Sequence, residues 1–220
     1  MASSSPAHTE EHPAHLQHHF VSSEQQFDAA KMGMWLFLVT EILLFAGMFV
    51  AYTVYRVWHP EVFVQSSTLL NPWLGGLNTL VLLASSFTVA LSIHFIQKGN
   101  QRALIINLLL TMAAAVVFLV VKYFEYTHKF HLGIFPGENY AYTEVAGPYV
   151  PQFFSIYFIM TGIHGLHVVI GIGLFVWLVL RATRGHFTSS WYTPVELVGL
   201  YWHIVDIIWI FLFPLFYLIT

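Results

Sequence analysis

Five long runs of apolar residues, separated by polar segments, dominate the hydrophobic pattern of this chain. They cover about residues 32–55, 72–97, 103–126, 151–181 and 194–219. Each holds roughly 20 or more residues, and at about 1.5 Å per residue this length crosses a hydrocarbon core about 30 Å thick. The pattern predicts an all-α integral membrane protein, with a bundle of five transmembrane helices in residues 31–220.

The segment before the first apolar run has a different character. Residues 1–30 are rich in Ser, His, Glu and Gln and contain no apolar stretch, so we expect a polar N-terminal tail in solvent. Its histidines would at most bind a stray metal ion; they are His8, His12, His15, His18 and His19.

The positively charged residues predict the orientation. A cytoplasmic tail places on its own side Lys31, Lys98, Arg102, Arg181 and Arg184, and leaves on the other side Arg56, Lys129 and, near a helix end, Lys122. Both short loops that carry paired cations then face the cytoplasm, in agreement with the positive-inside tendency. We therefore expect the N-terminus in the cytoplasm and the C-terminus outside.

Composition narrows the class of protein. The chain is 57% hydrophobic and only 9% charged, unlike a soluble domain. Its formal net charge of -3 gives no electrostatic support for a nucleic-acid partner. Because the chain has no cysteine, disulfides, cysteine-type zinc sites and iron–sulfur clusters are excluded.

Three ionisable residues interrupt the last apolar run: Glu196, His203 and Asp206. At about 100° per residue, His203 and Asp206 lie ~60° apart on a helix and Glu196 lies ~20° from His203, so the three share one face. An unpaired charge at membrane depth costs about 2.5–3.5 kcal/mol. We therefore expect this face to contact protein and not lipid.

Other spans also carry candidate groups. Near the middle of the first span, Glu41 either handles protons or contacts another subunit, or it is a neutral acid hydrogen-bonded inside the bundle.

In the fourth span, His164 and His167 share a face. They are either haem ligands or structural residues bonded to acids of neighbouring spans. Glycines of this span would let another helix approach closely: Gly162, Gly165, Gly171 and Gly173.

The third span ends with the spacing Glu-x-x-His, at Glu125 and His128. This spacing is half of a di-iron carboxylate motif, which needs two such pairs and further carboxylates. Only one copy is present, so we do not expect a di-iron site.

Several motifs together share their order and spacing with a known family. They are WLFLVTEILLFA at 35–46, NTLVLLASS at 78–86, TGIHGLHV at 161–168, RATRGHFTS at 181–189, and the series Glu196, His203, Asp206 and Trp209. Over about residues 30–220, the chain resembles subunit III of the haem–copper oxidases. Because Glu41 is present, the cytochrome c oxidase branch is the better match than the quinol oxidase branch.

The resemblance implies a non-catalytic subunit of a proton-pumping terminal oxidase in aerobic respiratory electron transport. Such a subunit binds no redox metal, because haem and copper lie in partner subunits. Subunit I would be its main contact, with other oxidase subunits and a respiratory supercomplex as further partners. It supports sustained turnover and proton uptake and holds phospholipid. By the same resemblance, the chain is a multi-pass protein of the bacterial cytoplasmic (inner) membrane.

The resemblance also implies roles for individual residues. Glu41 matches the buried carboxylate of the family. Three residues match basic positions of the family that contact lipid head groups on the inner side: Arg181, Arg184 and His186. Basic residues that only anchor the topology would lie on the same side. A structural polar network within the membrane would comprise Glu125, His164, His167, Glu196, His203 and Asp206.

The chain departs from the seven-helix form of the family in one respect. The two helices that precede the Glu41 helix there, and that make one wall of the lipid cleft, have no counterpart here. The pattern matches five-helix bacterial members, in which that wall is missing or comes from another subunit. Two alternatives stay open: a haem-bearing five-helix membrane anchor of a quinone-reactive oxidoreductase, and a nitric oxide reductase accessory protein of the same family.

Overall fold

The five apolar runs are helical in the computed structural model, which describes residues 16–142, 145 and 147–219. The helices are α1 (Ser23–Trp58), α2 (Pro60–Ser67), α3 (Pro72–Gln97), α4 (Gln101–His131), α5 (Val150–Thr183) and α6 (Thr193–Tyr217), and a short 3-10 turn occupies Gly137–Asn139. All except α2 are long and apolar enough to cross a membrane. The predicted all-α fold with five membrane spans is confirmed.

Local sequence signals set the helix ends. Three N-cap side chains accept a backbone N–H of the first turn: Ser22 for α1, Asn71 for α3 and Asn100 for α4. A proline lies in the first turn of α3, α5 and α6, where its missing N–H costs nothing. After α3 and α5 the chain turns through Gly99 and Gly185, whose φ angles of 73° and 72° favour glycine.

Some boundaries differ from the sequence pattern. Because Ser22 caps it, α1 begins at Ser23 and not near residue 32, so residues 23–30 of the expected tail are helical. The helix α4 extends at its C-terminal end to His131, beyond the predicted residue 126. A short helix that was not predicted, α2, lies between the first two spans. The tail histidines His8, His12 and His15 lie outside the described residues.

The helix α6 is the centre of the bundle. It packs against α3 and α5, and α4 completes a four-helix bundle by packing between α3 and α5. The first helix, α1, lies against α6 and α5 with smaller contacts. Of the apolar stretch of α6, 50% is buried, against 11% for α1. The first helix is therefore the peripheral member.

One glycine sets the closest approach between α5 and α6. A methyl group at Gly171 would lie 2.6 Å from the ring of Trp202, so only glycine fits there without a shift. A methyl group added at Gly162, Gly165 or Gly173 would meet no atom of another described element within 4 Å. Of the four glycines expected to allow close helix approach, only Gly171 has that role among the described residues.

Candidate functional site: polar groups within the membrane

The first polar group joins α1 to α5. Glu41 Oε2 lies 2.9 Å from His167 Nε2, and the two side chains are only 16% and 12% exposed. The other ring nitrogen, Nδ1, lies 2.8 Å from the carbonyl oxygen of Ile163. Because a carbonyl oxygen can only accept, Nδ1 carries a proton. The contact of Nε2 with the carboxyl group is a hydrogen bond, or an ion pair where the imidazole is protonated.

This contact gives Glu41 a histidine partner within the chain. The hydroxyl of Tyr201 donates to the backbone carbonyl of His167 at 2.9 Å, so α6 also supports the position of the pair. Three helices thus meet at this point.

A second group is a cluster of buried charges near the end of α4. Lys122 Nζ and Lys129 Nζ each lie 3.0 Å from an oxygen of Glu125. The hydroxyls of Tyr157 and Tyr217 donate to the same carboxylate at 3.0 and 2.7 Å. The three charged residues are 6%, 3% and 5% exposed, in the order Lys122, Lys129 and Glu125. With so little water around them, both lysines depend on Glu125 as their counter-charge, and its removal would leave two buried cations uncompensated.

The sequence pattern singled out Glu125 and predicted histidine partners for it. In the structure its partners are two lysines and two tyrosines. Part of the signal was local, because Lys122 and Lys129 lie three residues before and four residues after Glu125 and therefore share its helix face. The tyrosines come from α5 and α6, and no local spacing indicates them.

A third group ties α6 to α3. Ring nitrogens of α6 contact hydroxyls of α3 in the pairs Trp202–Ser85 (2.9 Å), His203–Ser86 (2.6 Å) and Trp209–Thr79 (3.1 Å). Each tryptophan indole donates its N–H, which makes these large side chains satisfied when buried. The contacts fasten α6 and α3 along much of their length.

The ionisable residues expected on one face of α6 have separate surroundings. Glu196 forms an ion pair of 3.1 Å with Lys31 of α1. Asp206 is 2% exposed, and neither carboxyl oxygen has a hydrogen-bond partner among the described residues. The ring of His164, which is fully buried and also without a described partner, packs 5.3 Å from the ring of Trp209. Within the described part of the chain, neither Glu196 nor Asp206 binds His164 or His167, the histidines predicted as their partners.

The basic loop between α5 and α6 is a tight turn. The guanidinium of Arg181 lies 5.0 Å from the ring of Trp177. The backbone N–H of His186 donates to the carbonyl of Arg181 at 3.2 Å, and the side chains of Arg184 and His186 are exposed. All three basic residues therefore lie at one end of the bundle, where exposed cations can meet anionic groups.

Across residues 16–142, 145 and 147–219, no group of three or more His, Cys, Asp or Glu side chains could hold a metal ion. Of the tail histidines only His18 and His19 fall in this range, with ring centroids 5.2 Å apart.

Five membrane-spanning helices, fastened by polar contacts between them, define a multi-pass helical membrane protein. The sequence model of the family described as "Cytochrome c oxidase subunit III" matches residues 14–220. The chain therefore belongs to the cytochrome c oxidase subunit III family of the haem–copper oxidases, as its motifs indicated. In this family the redox cofactors lie in other subunits.

Individual relatives agree with this assignment. The chain is 34% identical over 194 residues to cytochrome c oxidase subunit 3 of Thermostichus vulcanus, covering 88% of this chain and 89% of the relative. It is 32% identical over 193 residues to a probable quinol oxidase subunit 3 of Staphylococcus haemolyticus, covering 86% and 88%. With cytochrome c oxidase subunit 3 of Equus caballus the identity is 31% over 219 residues, covering 92% and 73%.

Proposed function

We propose that this chain is the non-catalytic subunit III of a proton-pumping cytochrome c oxidase and that it stabilises subunit I. The observation that carries this proposal is that ionisable groups within the membrane spans are paired with other side chains of the bundle. Glu41 binds His167, Glu125 binds two lysines, and His203 binds Ser86. Groups engaged in this way fasten helices to one another, so the bundle offers subunit I a fixed helical surface.

The same contacts argue against the haem-anchor alternative. Haem ligation needs a histidine nitrogen that can reach the iron. Both ring nitrogens of His167 already contact oxygen atoms, and His164 is fully buried against aromatic rings. A haem ligand would have to break these arrangements, which favours the structural role.

Support of proton uptake is proposed for the Glu41–His167 pair. The pair lies near the middle of α1 and α5, and both side chains keep some exposure. A carboxyl–imidazole pair accepts or releases a proton with little movement of its atoms.

Phospholipid binding is proposed for Arg181, Arg184 and His186. Arginine side chains beside a membrane attract anionic head groups, at about 1 kcal/mol each, and Arg181 and Arg184 supply this attraction here. The same charge distribution supports an N-terminus in the cytoplasm of a bacterial cell and a C-terminus outside the cytoplasmic membrane. A tag after Thr220 should then be labelled from the outside only.

The test of the main proposal is oxygen consumption by the oxidase purified with and without this chain, followed over many turnovers at two pH values. The initial rate should be largely unchanged, because the redox centres lie in other subunits. Activity should then decline faster without the chain, and fastest at high pH, because protons are scarce and the subunit that supports their uptake is missing. Immediate and complete loss of activity would contradict the proposal, since it would indicate a direct catalytic role.

A further inference from the structure

One face of α6 is left uncovered by the described part of the chain. It carries His203, Ile207, Ile210 and Phe211, which recur at spacings of three and four residues and therefore form one stripe. The last three are 46%, 39% and 58% exposed, and His203 is half-buried. We call these four residues the α6 stripe.

The α6 stripe continues into a cavity beside α1. Ile207 and Phe211 line this cavity of about 240 Å³ together with Ile42, Ala46 and Phe49 of α1. Its lining is wholly apolar. The helix α1 is itself mostly exposed, so the α6 stripe and α1 together form an open apolar groove.

The polar member of the α6 stripe indicates what covers it. His203 lies close to the middle of α6, and its Nδ1 is 2.6 Å from the Ser86 hydroxyl. No described residue makes a hydrogen bond to its other ring nitrogen, Nε2. In hydrocarbon an unsatisfied polar group costs several kcal/mol, and lipid tails offer neither donors nor acceptors. A protein helix can supply such a group at this depth.

We propose that the α6 stripe is the docking surface for a transmembrane helix of another subunit of the oxidase. The helix is apolar and carries one hydrogen-bonding side chain, which meets Nε2 of His203. This inference rests on the proposed function and adds to it the face through which the chain is held in the complex.

Photocrosslinking tests which class of molecule occupies the groove. The photoreactive residue p-benzoylphenylalanine is placed at Ile207 or Ile210 in the complete oxidase, which is irradiated and analysed by mass. Crosslinks to another subunit are expected from both positions. The same variants of the chain alone, in bilayers of the same lipid, provide the lipid-only reference. Capture of lipid alone within the complete complex would overturn the proposal.

Substitution of His203 tests the hydrogen bond. His203→Leu should lower the amount of chain retained by the complex during detergent titration, by roughly threefold or more. His203→Gln, which keeps a hydrogen-bonding group, should restore retention. Because His203→Leu also breaks the contact with Ser86, Ser86→Ala is the matched control and should leave retention near that of the unaltered chain.

The thermal midpoint of each purified variant shows whether it is folded. Equal retention of folded His203→Leu and the unaltered chain would overturn the proposal. That result would leave the proposed function intact, because the chain would still be held by the oxidase through another face. Failure of the proposed function is seen instead in the oxygen-consumption experiment.

Discussion

Glu41 of α1 and His167 of α5 lie 2.9 Å apart, near the middle of both helices. The contact matters because α1 buries so little of its surface. Two further polar contacts hold α1 at its ends: Lys31 pairs with Glu196, and the Tyr52 hydroxyl donates to the carbonyl of Leu215. Three polar contacts at three depths thus fix a helix that apolar packing alone would hold weakly.

The stability of the chain should depend on the hydrogen bond of Glu41 more than on its charge. Glu41→Ala leaves His167 Nε2 without its partner, and we expect the free energy of unfolding to fall by about 1–3 kcal/mol. Glu41→Gln keeps a hydrogen-bonding group and should lose less. Thermal unfolding in detergent measures both, with Glu138→Ala in an exposed loop as the control. Equal losses for the two Glu41 variants would contradict this prediction.

Chemical labelling should report how accessible the carboxyl group of the pair is. An apolar carbodiimide partitions into the membrane, so it should modify Glu41 before the exposed Glu24. His167→Phe removes the imidazole, which leaves the Glu41 carboxyl group without its partner and free to react. We therefore expect faster labelling of Glu41 in this variant, followed by peptide mass spectrometry. Preferential labelling of Glu24 would indicate that Glu41 is inaccessible or fully ion-paired.

The buried charge cluster should respond unequally to the loss of its members. Glu125→Ala leaves two buried lysines without a counter-charge and should cost about 3–5 kcal/mol of the free energy of unfolding. Lys129→Met should cost less, because Lys122 and Glu125 remain as a balanced pair. Chemical unfolding of the two variants measures the difference. A larger loss for Lys129→Met would show that the cluster does not need Glu125 as its centre.

The close approach of α5 and α6 can be tested with two glycines of the same helix. Gly171→Ala brings a methyl group to 2.6 Å from Trp202, so the ring must shift. We expect a loss of ~1–3 kcal/mol in the free energy of unfolding, as for other overpacked cores. Gly173→Ala is the matched control, because its methyl group meets nothing within 4 Å and alanine favours helix. Similar thermal midpoints for the two variants would contradict the packing argument.

The membrane spans were predictable because length and hydropathy suffice to indicate them. The N-terminal part of α1 was missed, since residues 23–31 are mostly polar and only the cap at Ser22 marks the start of that helix. Polar residues in apolar runs were easy to single out, as Glu41 and His203 show. Their partners were not, because pairing depends on which faces of distant helices meet.

The partners themselves explain this difference. The contact of His203 is Ser86 of α3, one of several small hydroxyl residues in an ordinary apolar span. Lys122 and Lys129 lie near the end of α4 and were counted, from the sequence, among the charges that set the orientation. In the structure both are buried around Glu125. Tertiary packing, which the sequence pattern does not reveal, therefore decides which of the cations near a helix end are exposed.

The last prediction separates specific lipid binding from a general effect of positive charge. Replacing Arg181 and Arg184 by alanine removes two cationic contacts of about 1 kcal/mol each, so less anionic phospholipid should co-purify. The matched control replaces two other exposed cations in the same way: Lys98, directly after α3, and Arg102, in the first turn of α4. Mass spectrometry of lipid extracted from the purified complexes gives the amounts. We expect a selective loss in the Arg181 and Arg184 variant, because its loop holds the cations in a tight turn beside Trp177. An equal loss in both variants would mean that these arginines act only as part of the overall surface charge.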